Sequence, residues 1–330
     1  MKKRVLLLFS ILPLIIGYLF ASFHAVLVTN TAPAFNLQNI APGDMVTISN
    51  GGDIYQLTTT NSKQIIHGQN LIEPVMAGGN IIAVAKTINY ASLLLYDQSG
   101  NKIKTLFNGN TGTVDTMHWV TDPAVNPAQD RIAYVSDKDR QQTNVPDNAL
   151  YVLNLSDGTS TNIANPDPYS GGIAHPVFNP VNGNVLLYDY YQYDSKTLAP
   201  YSTIEEYSKD TGFTTTLTFE NKNAYQESFS PDGKTLLFLG RNSDMNTVTL
   251  YRADFTDTGL MNVQTLASGD FAFPVFSNMK NRIYFLQSEE NKGYNLMEAT
   301  MQKGKLNNIG PVISGYQLAG NSSFMVTKMK

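Results

Sequence analysis

The chain has 330 residues, of which 42% are apolar and only 15% charged, and a net charge of −4. It is long enough for one large domain or two ordinary ones with a sizeable core, and the acidic balance argues against nucleic acid, whose phosphates select basic surfaces. It has no cysteine, which excludes disulfides, thiol catalysis, cysteine-ligated metal and a cysteine-linked lipid anchor.

The N-terminus reads as a targeting signal. Met1-Lys2-Lys3-Arg4 is a basic flank, and residues 5–28 are almost wholly apolar. That length suits an uncleaved anchor, which needs roughly 20 apolar residues. A cleaved signal peptide wants small residues at −3 and −1. Cleavage near Ala21 or Ala25 puts Leu19 or Phe23 at −3, and Ala32-Pro33-Ala34 fits but lies late. Residues 1–28 are therefore expected to be a signal anchor, with a signal peptide as the alternative. Residues 29–43 read as a tether and 44–330 as the folded body. The basic flank stays in the cytoplasm. The body is then exported and anchored on the extracytoplasmic side, or secreted or periplasmic if the leader is cleaved.

The body repeats itself. One phrase recurs at Pro74-Val75-Met76, Pro123-Ala124-Val125-Asn126-Pro127, Pro176-Val177-Phe178-Asn179-Pro180, Glu227-Ser228-Phe229-Ser230-Pro231 and Pro274-Val275-Phe276-Ser277, at steps of 47 to 53 residues. Such a period, with four strands per unit, is that of a β-propeller. The phrase is the innermost strand. An apolar run follows each copy, at 81–85, 132–136, 185–189, 236–240 and 283–287. A second run follows at 93–97, 150–155, 203–207, 247–253 and 295–299. These runs are short and rich in β-branched and aromatic residues, so they predict strands. Polar turns such as Ser156-Asp157-Gly158 then lead to a last strand.

Five units are complete. A sixth is expected from both termini: 53–58 and 63–67 supply a third-and-fourth strand pair, and 316–319 and 324–327 offer inner strands. Residues 45–49 compete for a place in that blade. The predicted fold is all-β: a six-bladed propeller of four-stranded antiparallel blades, one blade closed by both termini, preceded by an N-terminal apolar helix. Closure hides the edges that an open array would expose.

Ser230-Pro231-Asp232-Gly233-Lys234, followed by Leu236-Leu237-Phe238, resembles the blade signature of the TolB-type, WD-repeat-like propellers. In that family the turn joins the first two strands. Asn126-Pro127 and Asn179-Pro180 are degenerate copies. The resemblance covers roughly residues 45–330 by repeat logic. It implies a fold and leaves the task open, because such blades serve many ends.

The meander places the links between strands two and three on one face, together with the blade-to-blade links. Those at 86–92, 137–148, 190–202, 241–245 and 288–294 read as long and varied, which suggests a working face. Arg140, Tyr191, Tyr193 and Arg241 are candidate contacts there. The residue before each phrase is equivalent in every unit: Glu73, Asp122, His175, Gln226 and Phe273. Their side chains should converge at the channel mouth, either as a binding site or as merely solvated groups. Glu73, Asp122 and His175 are types that suit a divalent ion, but no metal-binding spacing accompanies them. Hydrolase elbows and phosphate loops are absent from the sequence. The sequence thus predicts no catalytic residue, metal or cofactor. It predicts a monomeric module for a protein, peptide or glycan, with a hydrolase or lyase acting on an extracellular sugar or lactone as the alternative.

Overall fold

The computed structural model describes residues 35–112, 117–139, 148–167, 172–194, 196–197, 199–217, 223–241, 247–289, 293–316 and 324–329. The apolar leader and Arg140 lie outside them. No helix among the described residues is long and apolar enough to cross a membrane.

Six four-stranded antiparallel sheets form the six blades of a propeller. Blade one comprises β4 (Leu71–Ala77), β5 (Asn80–Lys86), β6 (Ala91–Tyr96) and β7 (Lys102–Phe107). Blade two comprises β8 (Val120–Val125), β9 (Arg131–Ser136), β10 (Ala149–Asn154) and β11 (Ser160–Ala164). Blade three comprises β12 (Gly172–Phe178), β13 (Val185–Tyr193), β14 (Pro200–Ser208) and β15 (Phe213–Leu217). Blade four comprises β16 (Asn223–Phe229), β17 (Thr235–Arg241), β18 (Val248–Thr256) and β19 (Gly259–Ser268). Blade five comprises β20 (Phe271–Phe276), β21 (Arg282–Glu289), β22 (Gly293–Gln302) and β23 (Lys305–Tyr316).

The sixth blade is shared as three plus one. β24 (Phe324–Lys328) is its innermost strand, and β1 (Asp44–Asn50), β2 (Asp53–Leu57) and β3 (Ser62–Ile66) follow outward. This corrects the expected two-plus-two split. Residues 45–49 take the second place, and Tyr316 ends the outer strand of blade five. One C-terminal strand therefore ties the ring.

The apolar runs are continuous because each second strand is covered on both sides. Six apolar clusters lie between neighbouring blades. One joins Ile82 and Val84 to Ile132 and Tyr134, and another joins Val46 and Ile48 to Tyr284 and Leu286. A strand buried on both faces loses the polar–apolar alternation of a half-exposed one. The outer β7 has a neighbour on one side only, and its first four residues are exposed.

The closing junction is polar as well as apolar. Buried Asp44 on β1 accepts hydrogen bonds from Ser277 Oγ at 2.5 Å, Asn278 N at 3.0 Å, Asn278 Nδ2 at 2.9 Å and Tyr284 Oη at 3.0 Å, all from blade five. Part of the sequence-predicted tether packs on the same blade. Phe35 bridges Ile313, Asn36 N donates to Val312 O, and Ile40 and Ala41 are buried.

The family-like turn sits where the resemblance puts it, between β16 and β17. Ser230 Oγ donates to Asp232 Oδ1 and accepts from Thr235 N. Gly233 has φ +69°, and a Cβ there would lie 2.4 Å from Asn179 Oδ1 of blade three. Only glycine combines that φ with so close an approach.

Candidate functional site: a stitched channel mouth

Each complete blade carries the same irregularity near the start of its innermost strand. The ladder slips by one residue at Ile72/Val75, Thr121/Ala124, Ala174/Val177, Tyr225/Ser228 and Ala272/Val275. These are β-bulges, which re-aim a side chain. The five sequence-predicted mouth residues sit in them, all left-handed: Glu73 (φ 53°), Asp122 (52°), His175 (49°), Gln226 (51°) and Phe273 (50°). Such a φ is unfavourable for a residue with a Cβ and persists where surrounding bonds hold it. The following proline in four of the five blades fits the bulge, because its missing N–H costs no ladder bond there.

The holding bonds run from blade to blade. Glu73 Oε2 accepts from Asp122 N at 2.6 Å, and its carboxylate also meets the Thr121 hydroxyl at 2.9 and 3.0 Å. Asp122 Oδ2 accepts from His175 N at 3.2 Å. Gln226 Oε1 accepts from Phe273 N at 2.9 Å. Among the four junctions between complete blades, the one whose bulge residue does not supply the acceptor is that between blades three and four. There Asp189 of β13 accepts from Gln226 N at 2.9 and 3.0 Å, and its Oδ2 lies 2.6 Å from His175 Nδ1. The mouth residues therefore do converge. Glu73, Asp122 and Gln226 each spend a side-chain oxygen on a stitch to the next blade, which the solvated alternative did not foresee. Across the channel the His175 ring meets the Phe273 ring edge-on, with centroids 5.4 Å apart.

Among the described residues no lysine or arginine pairs with these groups, so burial and their own charges set the electrostatics. Glu73, 1% exposed, is pushed up to about 8 by burial and then by the Asp122 charge. Burial alone would lower His175, but Asp122, the Asp189 hydrogen bond and charge, and Glu73 outweigh it and raise it to about 9. Glu227 is held well above the carboxylate range by burial and by the facing Asp189 charge. Desolvation and like charge both disfavour an ionised acid.

Asp189 and Glu227 were absent from the sequence-based site, yet the repeat marks both. Asp189 pairs with the residue before the bulge, where the other complete blades place Val84, Val135, Leu239 and Leu286. Glu227 follows the bulge residue, where they place Pro74, Pro123, Pro176 and Pro274.

The loop candidates fare differently. Strands reach further than the sequence indicates, so the link expected at 86–92 shrinks to 87–90, and that at 190–202 to 194–199. Tyr191 and Tyr193 consequently lie on β13, and Arg241 ends β17. Tyr191 Oη donates to Asp189 Oδ2 at 3.4 Å, and Arg241 Nε donates to Tyr225 Oη at 3.1 Å. Tyr193 is 48% exposed and Tyr201, at the start of β14, 37%. A groove of about 460 Å³ between blades four and five, lined by Arg252, Gln264, Leu266, Met301, Lys303 and Gly304, opens away from the mouth, beside the turns of the opposite face.

No family model and no curated protein matches the chain in sequence. Solved structures match its fold. TolB from Acinetobacter baumannii superposes with a TM-score of 0.51 at 18% identity, covering 86% of this chain and 75% of that one. An oligogalacturonate lyase in complex with manganese gives 0.58 at 12% identity, covering 88% and 80%. A prolyl endopeptidase gives 0.50 at 16% identity, covering 74% of this chain but only 36% of that one. The chain thus has the six-bladed propeller fold seen in TolB, and these likenesses reach the fold alone.

Proposed function

We propose that the protein is an extracytoplasmic binding module that receives a protein, peptide or glycan on the face bearing the channel mouth. The observation that carries this reading is a rim of partly exposed Asp122, His175, Gln226 and Phe273, stitched from blade to blade with buried Glu73 and Asp189. Bonds between blades fix the rim before any partner arrives, and preorganisation lowers the cost of binding. Exposed Tyr193, Tyr201 and Ile88 lie toward the same face. Tyrosine offers large contact area with a polar tip, as binding surfaces favour. Export rests on the apolar leader, and anchoring on its length.

The test is crosslinking and pull-down of the full-length protein from its native membranes. Tyr193→Ala with Tyr201→Ala should lose the captured partner, while Phe213→Ala, at the turn leading into outer strand β15, should keep it. A partner retained by the tyrosine double variant and lost with Phe213→Ala would move the site to the other face.

One observation favours an enzyme instead. His175 Nδ1 is held by Asp189 at 2.6 Å, and the ring is partly exposed, an arrangement that can orient a general acid, since the imidazole keeps its proton at neutral pH. Turnover of oligogalacturonate or of a lactone by the purified protein, abolished by His175→Ala, would transfer the assignment to a lyase or hydrolase.

A further inference from the structure

Five blades repeat one design, so a departure from it singles out a position. The two acidic departures at the mouth fall on adjacent blades. Asp189 replaces valine or leucine, and Glu227 replaces proline. They face one another: the Asp189 charge is the largest influence on Glu227 after burial itself. Chance drift in a repeat favours small or apolar replacements in a buried strand, because an unpaired buried charge is expensive.

Asp189 is well supplied with donors: His175 Nδ1, Gln226 N and Tyr191 Oη. Glu227 is not. The residue is 6% exposed, and among the described residues its carboxyl faces only the Asp189 carboxylate and its own backbone, with no donor from another residue. Buried polar groups are almost always satisfied, so an orphaned carboxylate needs an explanation. The groups around it sharpen the point. Glu73 from β4, Asp122 from β8 and Asp189 from β13 are acidic. Among the described residues His175 from β12 is the one basic group whose influence reaches them, and Gln226 and Phe273 are uncharged. Three carboxylates thus share one imidazole, and Glu227 adds a fourth acid against Asp189. Only bound protons keep such a cluster near neutrality.

We propose that the mouth receives an N–H cation, a primary ammonium or guanidinium group, which Glu227 and Asp189 hold between them. Once the proton shared between Glu227 and Asp189 leaves, both carboxylates are acceptors only, so the partner that replaces it is a donor. No cluster of three histidine, aspartate or glutamate side chains suited to a metal ion occurs among the described residues, whereas an ammonium or guanidinium needs only acceptors. Glu227 gives up its proton to solvent as the cation enters, so charge is exchanged one for one. This deepens the binding-module reading and rests on it: the occupant would be a lysine, arginine or N-terminal amine presented by a peptide or protein.

The experiment is calorimetric titration of the full chain with the peptides Gly-Lys-Gly and Gly-Arg-Gly, acetylated and amidated at their ends, against the uncharged norleucine peptide. Buffers of different ionisation enthalpy count the released protons. The cationic peptides should bind, the norleucine peptide should not, and up to one proton should leave per cation. Affinity should then climb by up to about tenfold per pH unit while Glu227 remains protonated. Glu227→Gln, nearly isosteric, and Glu227→Pro, which restores the sister-blade residue, should each weaken binding at least tenfold with thermal unfolding showing a folded chain.

Equal heats from the charged and norleucine peptides would overturn the proposal, as would full binding by folded Glu227→Gln. Stoichiometric uptake of Mn²⁺ or Ca²⁺ with no response to either peptide would overturn it in favour of a metal. The membrane partner distinguishes the two levels of failure. If it still depends on Tyr193 and Tyr201 while the peptides do not bind, the module reading stands and only the cation is wrong.

Discussion

Replacing Glu73 by glutamine should make the protein more stable at neutral pH, although it removes a buried acid from the centre of the ring. Glu73 is held at about 8 in the folded protein, against an ordinary 4.5. Below pH 4.5 both folded and unfolded chains carry the proton, and nothing is lost. Between these values the unfolded chain releases its proton and the folded one retains it, so each pH unit costs about 1.4 kcal/mol of stability. At neutral pH the accumulated cost is about 3 kcal/mol. Glutamine is shaped like the neutral acid. Its oxygen can accept from Asp122 N, and its amide can donate to the Thr121 hydroxyl. The assay is urea denaturation of both proteins at about pH 5, 6, 7 and 8, with midpoints and slopes compared. The advantage of Glu73→Gln should be small near pH 5 and should grow by about 3 kcal/mol toward pH 8. A difference that stays constant with pH, or a less stable variant near pH 8, would refute the reasoning. Glu73 would then be an ionised stitch whose charge the ring needs.

The histidine titrates the other way in charge, with the same sign in stability. His175 is raised from 6.5 to about 9, so its contribution is fully present below 6.5 and is lost as pH rises through 9. His175→Gln should therefore cost about 3 kcal/mol more near pH 6 than near pH 10, read by thermal melts across that range. Asp44→Ala leaves the buried Ser277 and Tyr284 hydroxyls without their acceptor. At ~1–3 kcal/mol per orphaned buried donor, roughly 4 kcal/mol should be lost in urea denaturation. Limited proteolysis should then cut first within the N-terminal strands of the closing blade. Gly233→Ala should cost about 2 kcal/mol by the same denaturation assay, since the new methyl meets Asn179 in a left-handed turn. A neutral result would mean that the Asn179 side chain swings away freely.

Much of this architecture is legible in the order of residues. The period places the innermost strands, and the apolar runs after each phrase are strands because both of their faces are covered by neighbouring blades. The equivalence of Glu73, Asp122, His175, Gln226 and Phe273 is also a matter of register, and so could be read before any coordinates. Their bulges could not. A left-handed residue in a strand leaves no composition signal beyond the proline that follows it, and Gln226 lacks even that. The lengths of β13 and β14 escaped as well. The tyrosine-rich stretch at 190–193 looks like loop until cross-strand partners extend the ladder through Tyr193.

What the sequence determined by itself is the ring: its period, its blade count and its closure by both ends, because local patterning repeats and each copy needs a neighbour to bury it. What only the tertiary structure decided is how the ring is fastened and where it departs from its own pattern. Which terminus supplies the innermost strand of the last blade depends on a pairing across 280 residues, between Val46 and Val326. That Asp189 takes over the stitch from His175, and that Glu227 lies against it without a donor, depends on side chains from different blades meeting in a low-dielectric channel. Such meetings are set by three-dimensional placement; the repeat marks the two positions as unusual but does not show that they meet.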